Sequence, residues 1–240
     1  MTQLPPEPPV ADDADDDADP VAVRVWDVPV RLFHWTLVAL LVASVISVKV
    51  GGNAKEWHLR CGYAILALVL FRFIWGFVGT HHARFATFVK GPGAVAGYVR
   101  SILERRHETH AGHNPLGGWM IVVMLVALLA QACLGLFSND DIVLDGPLVR
   151  LVDKDLSDAI TSWHRRGAWL IFALAGLHVG AVAFYLVAFK ENLVRPMLTG
   201  AKVLHPRLAP ADITETAGRA VVLLALCGVV VWYVVTRLGR

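Results

Sequence analysis

Residues 162–190 read SWHRRGAWLIFALAGLHVGAVAFYLVAFK, a run apolar enough to cross a bilayer that nevertheless carries two histidines, His164 and His178. Fourteen residues separate them, and as α-helix that is a rise of about 21 Å and nearly four whole turns. Both imidazoles therefore leave the same helix face, one near the start of the span and one deep inside it. Ionisable side chains are costly in hydrocarbon and mark function when they occur there. Two axial ligands on one face, separated by much of a hydrocarbon core of about 30 Å, point to two stacked haems. The rest of the chain must then supply two opposing ligands.

The 240 residues are 56% hydrophobic and contain several further apolar runs near 20 residues, which places the chain among integral membrane proteins. Five membrane helices are expected, at about 29–50, 57–79, 116–137, 163–189 and 217–236. The fold class is an all-α integral membrane protein: a four-helix transmembrane haem-binding bundle plus a fifth, C-terminal transmembrane helix. Residues 1–21 form an acidic, proline-rich tail expected to be disordered, with no apolar stretch of the kind a secretory signal needs. Residues 22–200 are the bundle, and 201–240 a linker with the last helix. Cys61, Cys133 and Cys227 are scattered among spans, which argues against a disulfide framework. Because no C-x-x-C-H occurs, any haem is b-type.

Loop charges set the orientation. The loops 80–115 and 190–216 are basic and belong in the cytoplasm with the N-terminus, whereas 138–161 is rich in Asp and faces outward. Residues 94–106 are expected as a short helix on the membrane surface. With this topology His34 in the first helix and His178 in the fourth lie at the inner level. His58 in the second helix and His164 in the fourth lie at the outer level. Four intramembrane histidines thus fall into two level pairs, His34/His178 and His58/His164.

Arginines lie close by in sequence. Arg31, Arg60, Arg165 and Arg166 are each within three residues of one of these histidines, and a guanidinium fork suits a haem propionate. Arg72 sits inside the apolar run YAILALVLFRFIWGFVG at the level of the inner pair. A buried arginine needs a partner, and an inner-haem propionate or a quinone oxygen would serve. Gly62, Gly167 and Gly176 lie near the histidines and would let a flat macrocycle approach. His107, His110 and His113 read as residues of a solvated loop, although His113 also opens GHNPLGGW, where it would border a quinone site.

The combination of VWDVPVRLFHW, RFIWGFVG, AGHNPLGGWM and SWHRRGAW…GLH resembles the bacterial cytochrome b561 and nickel–iron hydrogenase cytochrome b subunit family over about residues 22–200. The resemblance implies an inner-membrane di-haem protein with His34, His58, His164 and His178 as axial ligands. It also implies a quinone site near the inner haem and an outer-face redox partner, such as a cytochrome c or a dehydrogenase or hydrogenase subunit. The fifth helix and the acidic tail depart from the family pattern. The expected function is electron transfer between the quinone pool and that partner in the bacterial cytoplasmic membrane, with no nucleic-acid partner. Two other functions use the same residues: a self-contained superoxide:quinone oxidoreductase, and a redox-silent membrane anchor or transporter.

Overall fold

The computed structural model describes residues 19–106, 109–142, 144–205 and 217–238. Most of the tail expected at 1–21, together with His107 of the polar loop, lies outside them. Five helices are long and apolar enough to cross a membrane. α1 (Val28–Val50) starts at Asp27, whose carboxylate accepts from the Val30 N–H at 2.7 Å, with Pro29 in the first turn where a missing N–H costs nothing. It ends at Gly51, held at φ 73°, a conformation that glycine adopts without strain. A single short turn leads into α2 (Lys55–Val78), which returns antiparallel against α1.

α3 (Phe85–Phe88) and α4 (Pro92–Leu103) follow at the end where α1 begins, and α4 lies at the expected surface helix. α5 (Pro115–Leu136) is capped by Asn114, which accepts from the Gly117 N–H. α6 (Lys154–Ala188) is capped by Asp153 and starts nine residues before the expected 163. The early start has a local cause. Buried Asn139 donates to Ser157 at 2.6 Å and to Asp158 at 2.9 Å, and Ser157 donates to the Phe137 carbonyl, so the connection folds back onto a helical first turn.

After α6 come α7 (Val194–Thr199) and a strand, β2 (Ala201–Leu204). β2 pairs antiparallel with β1 (Val21–Arg24), Val21 opposite Leu204 and Arg24 opposite Ala201. This two-stranded sheet adds to the all-helical fold that the sequence predicts. It clasps the start of the bundle to its finish. Lys202 on β2 reinforces it by pairing with Glu191 and donating to the His110 carbonyl.

The helices do not pack evenly. α2 is the most buried span, against α1, α5 and the last helix, α8 (Ala217–Tyr233), which continues to Leu238. α8 buries Ala220, Cys227 and Val231, and Arg219 donates to the Val78 carbonyl. α6 packs on α5 but approaches α1 and α2 only sparsely. The side of α6 that carries the histidines therefore faces a slot rather than a close helix contact. All three cysteines are free thiols.

Candidate functional site: two histidine pairs and a buried polar cluster

The slot is crossed at two levels, termed inner and outer after the orientation that the loop charges predict. At the inner level the rings of His34 on α1 and His178 on α6 have centroids 6.3 Å apart, their planes inclined by 55°. At the outer level His58 on α2 and His164 on α6 are 6.0 Å apart and nearly perpendicular, at 85°. The structure thus brings together the two pairs expected from depth alone.

The spacing is informative. A metal–imidazole bond is about 2 Å and the ring centre lies about 1 Å beyond, so two imidazoles facing one metal atom have centroids about 6 Å apart. Among the described residues no group of three or more His, Cys, Asp or Glu is placed to hold a metal ion. A metal held by two imidazoles alone must bring its other ligands with it, as the iron of a porphyrin does. The space is there too. A Cβ at Gly62, one turn after His58, would meet no protein atom within 4 Å; Gly176 is as open, but two residues from His178 it lies on the other side of α6 and is exposed there. The residues fit b-type haem. Gly167 does not belong to this set, because a Cβ there would lie 2.2 Å from Gln131 Oε1. That glycine serves the α5–α6 contact instead.

The outer rings are anchored from behind. His58 Nδ1 lies 2.9 Å from the Ser44 hydroxyl and 3.2 Å from its carbonyl, and His164 Nδ1 lies 3.0 Å from the Gln131 carbonyl. The Gln131 amide in turn donates to the His164 carbonyl at 2.9 Å. With Nδ1 engaged in both rings, Nε2 is the nitrogen left to each. The inner rings differ: His34 Nδ1 is buried with no hydrogen-bond partner.

Beside the inner pair lies a polar cluster that hydropathy conceals. Arg72 is 2% exposed, with its guanidinium 5.5 Å from the Phe85 ring and 6.0 Å from the Phe88 ring. Gly76 makes this possible, since a Cβ there would sit 2.1 Å from Phe85, so α3 lies directly on α2 as a lid over the charge. Asp27 supplies the opposite charge nearby. Its buried carboxylate also accepts from Trp75 Nε1 at 3.1 Å and Thr80 Oγ1 at 2.6 Å. Arg72 Nη1 still has no partner.

His113 corrects the expectation of a solvated loop. Its ring is wedged between Trp26 and Phe88, at centroid distances of 4.4 and 4.7 Å, and its Nδ1 is buried without a partner. Burial, and then the positive charge of Arg72, push its pKa down to about 3, so it stays neutral at any working pH. His82 joins it, buried and also shifted down by desolvation, with Nε2 unpartnered. Three side chains thus present unused polar atoms at one end of the bundle.

The other arginines are placed differently. Arg31 donates to the Leu198 carbonyl and so ties α1 to α7. Arg60 pairs with Glu56 at 3.5 Å and covers Trp57, and Arg166 covers Trp163. None of these contacts is with a histidine of either pair; Arg165 lies near enough to act on His164 electrostatically. Sequence reasoning passed over Asp27, Ser44 and Gln131, and gave His82, just after the second helix, little weight. The only signal for Asp27 was its place before Val-Pro at a helix start, and the others resemble ordinary polar residues of a span or a loop.

The family profile described as prokaryotic cytochrome b561 matches residues 25–200, nearly three-quarters of the chain. A probable Ni/Fe-hydrogenase B-type cytochrome subunit of Azotobacter chroococcum mcd 1 is 27% identical over 216 residues, covering 75% of this chain and 88% of its own length. The corresponding probable subunit of Cupriavidus necator is 24% identical, covering 75% and 86%. The probable Ni/Fe-hydrogenase 1 B-type cytochrome subunit of Escherichia coli strain K12 is also 24% identical, covering 75% and 90%. No solved structure matches the chain significantly. With its membrane helices, its paired histidines and this match, the chain belongs to the prokaryotic cytochrome b561 family, membrane proteins that carry electrons on b-type haem.

Proposed function

We propose that this chain is a di-haem cytochrome b of the bacterial cytoplasmic membrane. On this reading it passes electrons between a redox partner at the outer face and the quinone pool. The observation that supports it best is the pair of facing imidazoles at two levels of one slot, 6.0 and 6.3 Å apart. His58 and His164 would hold the outer haem, and His34 and His178 the inner one. Bound there, haem supplies one-electron carriage without an open iron position for oxygen chemistry.

The protein's own residues do the rest. Ser44 and the Gln131 carbonyl fix the outer rings, and the wide spacing of α6 from α1 and α2 keeps the slot open. Arg72 is suited to an inner-haem propionate or a quinone oxygen, because its Nη1 donor is buried and unspent. Neutral His113 can offer one further hydrogen bond to a quinone carbonyl. Arg31, Arg60, Arg165 and Arg166 lie at the membrane edges, where they also suit propionates. Residues 22–200 form the functional unit, with the tail 1–21 and the segment 201–240 as additions.

The names of the relatives suggest a hydrogenase subunit as the outer partner, ahead of a cytochrome c or another dehydrogenase. A low-potential quinol added to the purified chain is expected to bring up the absorption of reduced b-type haem. A spectrum that the quinol leaves unmoved, while dithionite reduces it fully, would overturn the quinone-linked role.

A further inference from the structure

We propose that the hydrogen bonds behind the histidines set the two levels at different reduction potentials, the outer one low and the inner one high, with Ser44 as the tuning residue. The inference rests on the two-haem reading above and adds a direction to it: electrons run from the outer face inward.

The argument starts from the rings. An imidazole that donates its Nδ1–H to an oxygen gains electron density and becomes a stronger ligand through its other nitrogen. A more basic ligand favours the oxidised, more positive iron, and so lowers the potential. At the outer level both rings have such an acceptor: Ser44 behind His58, at 2.9 Å to the hydroxyl and 3.2 Å to the carbonyl, and the Gln131 carbonyl behind His164 at 3.0 Å. At the inner level His34 Nδ1 is buried without one. His34 is therefore the weaker ligand, and the inner pair as a whole donates less than the outer one.

Fixed charges act in the same sense where they are strong. Arg72 at the inner end is shut away from solvent, and a buried cation favours the reduced, less positive state; Asp27 offsets part of this. At the outer end Arg60 is largely exposed and paired with Glu56, so solvent and salt screen its contribution, and Arg166 lies over Trp163; Arg165, which acts on His164, works the other way and narrows the gap. Electrons delivered at the outer level therefore run downhill to the inner one. The outer partner is then an oxidoreductase that releases low-potential electrons, and the inner end is where the acceptor is reduced.

The test is a spectroelectrochemical titration of the purified full-length holoprotein, with the two midpoints assigned by the haem retained in His164→Ala. Two separate midpoints are expected, and the haem that survives in His164→Ala should be the higher. Ser44→Ala, which removes the nearer acceptor and leaves His58 only the longer contact to the Ser44 carbonyl, should raise only the lower midpoint, by at most about the 59 mV that corresponds to a tenfold change for one electron. Ser44→Thr, which keeps a hydroxyl, should restore it. The inference is overturned if the surviving haem is the lower one, if the two midpoints coincide, or if Ser44→Ala moves neither. A count of one b haem or none per chain would instead defeat the two-haem reading itself.

Discussion

The two ends of the slot hold the same kind of histidine pair in opposite surroundings. At the outer end every ring has a hydrogen bond behind it, and the nearby polar groups (Asn139, Ser157, Thr161) are spent on one another. At the inner end His34, Arg72, His82 and His113 keep buried polar atoms that no neighbour uses. Burying a polar group without a partner costs about 1–3 kcal/mol, so several at one place are a poor way to build a stable helix bundle. The difference teaches a division of labour. The outer end is finished as protein, and the inner end keeps polar atoms unspent, which is what the proposed cofactor and quinone would need there.

The sharpest way to break this comparison is to remove ligands one at a time. His58→Ala and His164→Ala are each expected to lose the same half of the bound haem, and His34→Ala and His178→Ala the other half, read as haem per chain after purification. Loss of one common haem on replacing His34 and His164 would show the pairs to be wrong. The next largest effect is expected from Asp27→Ala. It removes the α1 cap and the acceptor for Trp75 and Thr80, and leaves Arg72 without its counter-charge. A loss of about 3 kcal/mol is expected, seen as a lowered thermal midpoint in detergent.

Arg72→Leu should keep both haem bands yet slow quinol-linked reduction roughly tenfold, the scale of one lost hydrogen bond to a charged group. Unchanged kinetics would make Arg72 purely structural. His113 sharpens the contrast through pH. Its pKa is about 3 in the fold, against about 6.5 when unfolded. The unfolded chain binds the extra proton below pH about 6.5, so His113 makes the fold lose stability as pH drops from there towards 3. His113→Gln should flatten that part of the thermal-midpoint profile. The smallest effect belongs to the outer rim. Arg60→Ala breaks an exposed pair with Glu56 and should change stability by less than about 0.5 kcal/mol, with haem content intact.

How much of this was legible in the sequence depends on the range of each interaction. The five spans were, because hydropathy is local, and their observed limits fall within a few residues except at α6. There the polar run 154–162 carries no apolar signal, and its helix is set by Asn139 from the preceding connection. The pairing of levels was also legible, since alternating helix direction fixes depth. The β1–β2 clasp was not: its strands are some 180 residues apart, with no turn to announce them. His113 was half legible. Its neighbours Gly112 and Asn114 look like loop, and only the tertiary approach of Trp26 and Phe88 takes it out of water. Arg72 was visible as an oddity in an apolar run, whereas its lid of Phe85 and Phe88 depended on Gly76 and the fold of α3.

The central claim is that each of the two facing histidine pairs holds a haem. The most direct test is a pyridine haemochrome count on the purified chain, with a reduced-minus-oxidised visible spectrum. Two b haems per polypeptide, low-spin in both redox states, are predicted. One haem would mean that one of the pairs does not ligate iron, and none would return all four histidines to packing.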